Sequence, residues 1–297
     1  MQLSVITVTW NSKNLITKLL ESILHFTKNI KYEIIVVDNN SSDGTVDTIQ
    51  KTYRSEINAG TIRVIANHDN RGFSKGNNQG LKISRGQYVL FMNPDMELVE
   101  NSFDKITDFF EKNEDISACT CQLNYGDNSL QKTIKRFPTL LSQILVLLKL
   151  HHFLKKNKSI RKYLALDFDY SKQQPVEQAM GAFIFLRRSL IEKIKGWDED
   201  YPIFWEDVEL CKRISQLGEK IIYIPFTHVI HHESKSFAQV GSFQKQKKFN
   251  CGMLIYFRKH HSYLEYLLLI LLQPISYFLA ILTQILQIKQ RPQSSIK

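Results

Sequence analysis

Strand-like and helix-like segments alternate four times within the first 112 residues of this chain. Short runs rich in β-branched and apolar residues, typical of buried parallel strands, cover residues 3–9, 32–37, 61–66 and 88–92. Helical patterns follow these runs at about residues 15–27, from the mid-40s through residue 51, at 73–84 and at 98–112. Because strands that alternate with helices build βαβ units, this half predicts an α/β fold whose parallel sheet is covered on both faces.

Polar residues cluster at the end of each predicted strand, directly after Thr9, Val37, Ala66 and Met92. The carboxyl ends of parallel strands share one edge of the sheet, and ligands of such sheets bind at that edge. The four clusters therefore predict a binding site there.

Length, charge and cysteine content restrict the classes of function. The chain has 297 residues, 43% of them hydrophobic, which is enough for one large domain or two small ones. A net charge of +10 favours anionic partners, and nucleic acid is disfavoured because no helix-turn-helix, RNP or zinc-finger pattern accompanies the charge. The four cysteines show neither paired zinc spacing nor a disulfide framework. Because the N-terminus runs directly into a strand without a secretory signal, we expect a location on the cytoplasmic side.

Two apolar segments are candidates for membrane contact. Eight of the eleven residues from 140 to 150 are aliphatic, and the cations Lys155, Lys156, Lys158, Arg161 and Lys162 follow them. An apolar helix beside a basic segment can lie on an anionic bilayer, although a buried helix beside a solvated loop has the same pattern. Residues 264–288 are also apolar, but Gln273-Pro274 interrupts them, so one spanning helix and two interfacial helices are both compatible with them.

Two donor-side motifs follow the early strands. Asp38 ends the second strand, where its carboxylate can bind a base or ribose, or merely close an Asx turn with the residues after it. In the segment 70–80, Gly72 and Gly76 permit close backbone approach, and Arg71 or Lys75 can meet phosphate. A loop that only caps a helix would look similar, and the segment is not a P-loop.

Carboxylates and a histidine pair occur at three further points. Asn93-Pro94-Asp95 follows the fourth strand, and its hard oxygens suit Mg²⁺ or Mn²⁺ bridging a diphosphate, unless the triplet is only a polar turn. Asp207 and Glu206 open a predicted helix, either as general base and acceptor-orienting group or as acids that complement the helix dipole. His231 or His232 is a candidate third metal ligand. The aromatic side chains of Tyr201, Phe204 and Trp205 are candidates for a sugar-stacking wall.

These motifs, taken in order from residue 3 to about residue 236, resemble family 2 glycosyltransferases, especially the rhamnosyltransferase-like branch. The resemblance implies a GT-A-type α/β fold with a mostly parallel sheet. Because the composition turns apolar after Lys259, we expect a catalytic domain at 1–259 and an apolar membrane-associating segment at 260–297. The catalytic domain comprises a nucleotide-sugar half at 1–112 and an acceptor half at 113–259, with a membrane-facing insert near 138–165.

The resemblance also assigns roles to individual residues. Asp207 is the expected base with Glu206 beside it, Asp95 and His231 are the expected metal ligands, and Gly181, Trp197 and Trp205 lie on the acceptor side. The residues expected to bind the nucleotide sugar are Thr9, Asn11, Asp38, Asn40, Asn70, Arg71, Gly72, Lys75, Asn78 and Asn93. Asn93 replaces the first acid of a DxD motif, and the late segment 231–236 lacks the glycines common in relatives. The choice between His231 and His232 therefore stays open, with His231 preferred by its spacing to the final serine.

The implied activity is an inverting, metal-dependent transfer of a sugar from a nucleoside diphosphate sugar, with dTDP-rhamnose suggested by the branch. The two apolar segments flanked by basic residues predict an acceptor hydroxyl on a lipid-linked cell-surface glycan at the cytoplasmic face of the membrane, as in polysaccharide biosynthesis of the cell envelope. A sugar nucleotidyltransferase is an alternative, disfavoured because no basic glycine-rich phosphate loop lies near the N-terminus. A non-catalytic membrane adaptor is another, disfavoured by the intact Asp38, Asp95, Asp207 and His231.

Overall fold

The computed structural model describes residues 1–154, 156–232 and 242–285. The late segment 233–236, Lys155 and the end of the apolar tail lie outside this range. Four strands of the first half occur where the sequence predicts them. The elements are β1 Leu3–Thr9, α1 Lys13–Phe26, β2 Tyr32–Asp38, α2 Thr45–Thr52, α3 Arg54–Asn58, β3 Ile62–Ala66, α4 Phe73–Ile83 and β4 Tyr88–Met92.

The first half of the sheet is parallel and positions the candidate site. Strands β3, β2, β1 and β4 lie side by side in that order, all parallel. Thr9 pairs with Asp38, and Asp38 pairs with Ala66, so three strands end level with one another. The nearly continuous apolar sequences of β1, β2 and β4 are buried on both faces, as expected of a sheet covered by helices, whereas the edge strand β3 is only partly buried. The predicted polar edge is confirmed as one continuous sheet edge.

The second half corrects the expectation of a mostly parallel sheet, because the complete sheet is mixed. Its further strands are β5 Met96–Leu98, β6 Ala118–Asn124, β7 Gln174–Val176, β8 Phe183–Arg187 and β9 Ile221–His231. Strand β8 runs antiparallel between β4 and β6, and β9 runs parallel to β6 but antiparallel to β5 and β7. The helix predicted from residue 98 begins at Ser102 instead (α5, Ser102–Lys112), since Met96–Leu98 pairs with β9.

Helices cover the second half and continue to the end of the described chain. They are α6 Leu140–Leu147, α7 Lys158–Tyr163, α8 Arg188–Lys193, α9 Glu206–Gln216, α10 Ser242–His260, α11 Tyr263–Leu271 and α12 Gln273–Ile285, with a 3₁₀ turn at Leu150–His152. Within the described ranges no single helix has the length and apolarity to cross a membrane. The pair Tyr263–Leu271 and Gln273–Thr283, bent by 41°, meets that requirement only together, by length and composition alone.

Three apolar clusters hold these layers together. Two lie on opposite faces of the sheet, one against α1 and α5 and the other against α8 and α9. The third joins Trp205 to the C-terminal helices through Met253, Tyr256, Phe257 and Leu269. Helix α9, which carries the predicted base, is thus packed between the sheet and the C-terminal helices.

Candidate functional site

The end of β2 forms a closed turn. The buried Asp38 carboxylate accepts hydrogen bonds from the Ser41 backbone N–H at 2.8 Å and the Ser41 hydroxyl at 2.5 Å. These contacts are the Asx-type turn considered as the alternative to ligand binding. Asn40 follows with φ at 63°, a left-handed conformation that asparagine tolerates. The geometry fixes this turn, and the nucleotide contacts of Asp38 and Asn40 stay predictions.

The end of β1 is tied to the same turn. Asn11, with φ at 49°, donates its N–H to Ser41 Oγ at 2.8 Å and accepts from the Ser42 N–H at 2.8 Å. The buried Thr9 hydroxyl has no hydrogen-bond partner in the described part of the chain. The structure therefore brings Thr9, Asn11 and the Asp38 turn together at the sheet edge.

The loop before α4 lies beside this turn. Gly72, at φ 80°, precedes the first residue of α4, donates to Asn70 Oδ1 at 3.0 Å and accepts from the Asn39 side chain at 3.0 Å. Arg71 pairs with Asp69 on the surface at 3.1 Å, and Lys75 is exposed. Both cations lie at the protein surface, where a phosphate can reach them, and their contact with phosphate stays a prediction.

Asn78 fastens α4 to the segment after α8. Its Nδ2 donates to the carbonyl of Trp197 at 2.9 Å and to Glu199 Oε1 at 2.8 Å, while its Oδ1 accepts from the Trp197 N–H at 2.9 Å. The amide is thus engaged by protein, and its nucleotide contact stays a prediction. Trp197 itself is 2% exposed and packs edge-on against Phe73 and Phe91 at 5.1 Å. Its predicted acceptor-binding role is corrected to packing, because no ring face is exposed.

The predicted base lies in the first turn of α9 and is held from two sides. Asp207 Oδ2 accepts from the Gly181 N–H at 3.1 Å, and Oδ1 accepts from the Val208 N–H at 2.8 Å. The next residue, Ala182, accepts from the Asn93 N–H at 3.0 Å. The adjacent residues Gly181 and Ala182 therefore connect the predicted base to the strand-end motif that begins at Asn93.

Glu206 and Asp207 form an unequal pair of acids. Glu206 is buried, and its Oε2 has no hydrogen-bond partner within the described ranges. Burial, reinforced by the neighbouring Asp207 carboxylate, raises the pKa of Glu206 to about 8. Burial also raises the pKa of Asp207, but the Gly181 N–H and the charge of Lys135 oppose that rise. The two backbone N–H groups that donate to Asp207 favour its charged form, and a raised pKa suits a general base near neutral pH.

Asp95 and His231 face each other across β5 and β9. Asp95 Oδ1 lies 3.4 Å from His231 Nε2, and both side chains are buried. His231 Nδ1 lies 2.9 Å from Gln131 Oε1, and since an amide oxygen only accepts, Nδ1 carries the proton. His232 points elsewhere, to Glu97 at 2.6 Å, as alternation along a strand requires. The structure therefore selects His231 as the partner of Asp95.

The Asp95–His231 pair fits a divalent metal only in part. Because Nδ1 of His231 is engaged by Gln131, the lone pair of Nε2 faces the Asp95 carboxylate. Histidines that bind metals have this arrangement. The described residues contain no group of three or more His, Cys, Asp or Glu side chains with metal-site geometry. Mg²⁺ or Mn²⁺ held here would need further oxygens, which a diphosphate carries.

The predicted aromatic wall is largely buried. Trp205 is 1% exposed and packs on Tyr256 at 5.3 Å and Phe249 at 5.4 Å. Its predicted acceptor-stacking role is therefore corrected to anchoring the C-terminal helices. Tyr201 is also buried, whereas Phe204 is 37% exposed and has φ at 81°, a strained conformation for a bulky residue. Phe204 is the member of the proposed wall that remains accessible.

Two neighbours of the site were given no role of their own from the sequence. Gln131 contacts His231, and the Glu209–Arg213 pair, which belongs to the segment 206–213 that resembles the family's motif around the base, fixes α9. Glu209 and Arg213 are joined by contacts of 2.7 and 2.9 Å, and Arg213 donates to the Gly196 carbonyl at 2.9 Å. The four-residue spacing of an acid and a base on one helix was a visible signal for this pair. A single glutamine in a loop carries no comparable signal.

Comparisons with known proteins identify the family. The profile described as Glycosyl transferase family 2 matches residues 4–194, and the chain belongs to that family. The rhamnosyltransferase WbbL of Escherichia coli K12 is 25% identical over 244 residues, covering 78% of this chain and 85% of the relative. The N-acetylglucosaminyl-diphospho-decaprenol L-rhamnosyltransferase of Mycobacterium tuberculosis is 24% identical over 245 residues, covering 79% of this chain and 77% of the relative.

Solved structures agree on the fold. The mannosyltransferase PcManGT of Pyrobaculum calidifontis, solved with GDP-Man and Mn²⁺, superposes with a TM-score of 0.60 at 15% identity, covering 98% of this chain and 76% of that one. Staphylococcus aureus TarS, residues 1–349, gives a TM-score of 0.56 at 17% identity with the same coverage. The mixed α/β sheet is therefore a GT-A-like glycosyltransferase fold.

Proposed function

We propose that this protein is an inverting, metal-dependent glycosyltransferase that uses a nucleoside diphosphate sugar and acts on a lipid-linked glycan of the cell envelope. The named rhamnosyltransferase relatives support dTDP-rhamnose as the donor, and the decaprenol-linked substrate in one of those names supports a lipid-linked acceptor. The observation that carries the proposal is the Gly181–Ala182 link, which fastens Asp207 beside the strand-end motif at Asn93.

The proposed reaction uses Asp207 as the base. Its carboxylate takes the proton of the acceptor hydroxyl while that oxygen forms a bond to the anomeric carbon of the donor. The bond from that carbon to the diphosphate breaks on the opposite face, and the electron pair leaves with the diphosphate. Attack from the face opposite to the leaving group inverts the anomeric configuration. The neutral Glu206 beside Asp207 can donate a hydrogen bond to the acceptor sugar.

Donor binding is assigned to the sheet edge. The turns at Asn11, Asp38 and Gly72 border the space into which β1 and β2 point, and they are proposed to hold the nucleoside. Asp95 and His231 would hold Mg²⁺ or Mn²⁺, which when bound neutralises charge on the diphosphate. The Mn²⁺ complex of one GT-A-like neighbour supports this choice of metal.

A location on the cytoplasmic face of the membrane is part of the proposal. Large apolar side chains are exposed in the region of α6 and in α11 and α12, including Leu141, Phe153, Leu264, Leu271 and Phe278. Exposed apolar groups of this size beside basic residues favour an anionic bilayer surface. Flotation with liposomes of anionic lipid tests this part, and protein that stays at the bottom of the gradient at low salt would contradict it.

A donor screen tests the activity directly. Purified protein is incubated with Mg²⁺ or Mn²⁺, a panel of nucleoside diphosphate sugars and bacterial lipid extract, and released nucleoside diphosphate is measured. We expect release from one donor, with the Asp207→Asn variant slower by about 10²–10⁴-fold. Asp47→Asn, an exposed change in α2, is the matched control. A near wild-type rate for Asp207→Asn in a folded protein would remove Asp207 from the role of base.

A further inference from the structure

A basic pocket lies on the acceptor half, outside the residues assigned above. It has a volume of about 500 Å³ and is lined by Arg136, Lys158, Arg161, Lys162 and Asp167. Lys158, Arg161 and Lys162 are three and four residues apart on α7, so they share one face of that helix. The pocket therefore concentrates positive charge in one open depression of the surface.

Asp167 balances only part of this charge, and its hydrogen bonds go to Arg136, although its charge also acts on Arg161. The Arg136 guanidinium makes a two-pronged contact with Asp167 at 2.7 and 2.8 Å and also donates to the Lys162 carbonyl at 3.3 Å. This pairing fixes the wall of the pocket and leaves the three cations of α7 facing the cavity. Asp167 is the only carboxylate among the residues that line it in the described part of the chain.

The chain connects this pocket directly to the candidate base. Lys135, which precedes Arg136, interacts electrostatically with Asp207. Gln178 binds both residues, donating its N–H to the Lys135 carbonyl at 3.2 Å and its side chain to the Arg136 carbonyl at 2.7 Å. Gln178 lies three residues before Gly181, which holds Asp207. One short backbone segment thus separates the base from the basic pocket.

Exposed apolar side chains directly precede the cations of α7 in the chain. Helix α6 packs against α7, and α11 and α12 pack against α6. Between α6 and α7 the chain exposes Leu150, Phe153 and Leu154, with Phe153 83% exposed. The acceptor half therefore combines a base, a cluster of cations and exposed apolar side chains. A lipid-linked sugar combines the three matching groups: a hydroxyl, a diphosphate and a hydrocarbon chain.

We propose that the pocket formed by Arg136, Lys158, Arg161 and Lys162 binds the diphosphate of an isoprenoid-linked acceptor and so presents the acceptor sugar to Asp207. This proposal rests on the proposed glycosyl transfer, and it adds a binding site for the acceptor. Several cations in a fixed concave arrangement suit two adjacent phosphates, whose oxygens accept charge-assisted hydrogen bonds. The exposed apolar side chains next to it provide a path for the isoprenoid chain.

Binding to the full-length protein tests the site without turnover. The probe is farnesyl diphosphate, and the variant is the triple change Lys158→Ala, Arg161→Ala and Lys162→Ala. Alanine favours helix, and the backbone carbonyl that Arg136 uses at residue 162 is kept, so α7 should persist. The matched control is Lys18→Ala, Lys112→Ala and Lys193→Ala, which removes the same charge from exposed positions on α1, α5 and α8.

We expect the pocket variant to bind farnesyl diphosphate at least about tenfold more weakly than the control, because each cation near a lipid phosphate contributes about fivefold. Unchanged affinity, or no binding by the unaltered protein, would overturn the site. Equal affinity for inorganic pyrophosphate would identify a free-phosphate site and also overturn it. If the pocket variant instead loses only binding to phosphatidylglycerol vesicles, the cations recognise bulk headgroups and the proposal fails.

A second binding measurement distinguishes a failure of the proposed function from a failure of this site. Binding of nucleoside diphosphate sugars is measured on the same three proteins, and the pocket variant should match the control because the donor edge lies elsewhere. An unaltered protein that binds farnesyl diphosphate but none of the nucleotide sugars would refute the transferase assignment while leaving the pocket intact.

Discussion

Replacing Glu206 by glutamine should stabilise the protein, and increasingly so as the pH rises. Burial beside Asp207 raises the pKa of Glu206 from 4.5 to about 8. Between these two values the unfolded chain has released the proton and the folded protein still holds it. Stability falls with rising pH wherever the folded state binds more protons, so Glu206 destabilises the fold progressively from about pH 4.5 to about pH 8.

The size of the effect follows from the width of that window. One pKa unit corresponds to about 1.4 kcal/mol, so the interval from about pH 5.5 to about pH 8 allows at most about 3.5 kcal/mol. Partial ionisation of Glu206 near its pKa lowers this figure to about 3 kcal/mol. Glutamine is neutral at every pH and has nearly the shape of the protonated acid. The stability difference between variant and unaltered protein should therefore grow by that amount across the interval.

Urea unfolding at several pH values measures this difference. Buried groups away from this pair also titrate, such as His151, whose pKa is lowered by burial to about 4, but their contributions cancel between the two proteins. Glu114→Gln, an exposed change, is the matched control and should show no growing difference. A Glu206→Gln difference that is the same at about pH 5.5 and about pH 8 would mean that Glu206 is already ionised in the fold.

Three further changes probe the site and its support. In Gly181→Ala the new Cβ would lie 3.2 Å from Asp207 Cβ and displace this side chain. The rate of sugar transfer should then fall by about tenfold, while the affinity for the donor stays unchanged. An unchanged rate would argue against a role for the contact between Gly181 and Asp207. Trp205→Ala should lower the free energy of unfolding by about 3–5 kcal/mol in urea titrations, and a much smaller loss would contradict its anchoring role. Gln131→Met removes the group that contacts His231 Nδ1, so Mn²⁺ binding should weaken by about 10–100-fold. Electron paramagnetic resonance with nucleoside diphosphate present measures this affinity. An unaltered affinity would show that His231 is not a metal ligand.

The parallel half of the fold was predictable because its signals are local. Each of its strands is a short apolar run, and helices alternate with the strands, so the type of each element can be inferred from its own residues. The antiparallel half has no such signal. Strand β5 has three residues, and its partner β9 begins at residue 221, so their pairing depends on packing of the whole chain.

In the candidate site, too, features encoded by neighbouring residues were predictable, whereas features that depend on long-range packing were not. The acids at 206 and 207 and the strand-end motif at 93–95 could be found from residue type and spacing. The roles of Trp197 and Trp205 could not, because an aromatic cluster in sequence does not reveal whether its rings face solvent or a core. The structure places both indoles inside.

The direction of β8 explains how one short segment can connect the proposed base with the proposed donor edge. Gly181 and Ala182 immediately precede β8, the strand that runs antiparallel between β4 and β6. Because β8 is antiparallel to β4, its beginning lies at the end of β4, beside Asn93. A parallel strand in that position would have put its beginning at the opposite edge of the sheet. The antiparallel insertion that sequence reasoning missed is thus what brings a base from α9 to the edge where the donor motifs meet.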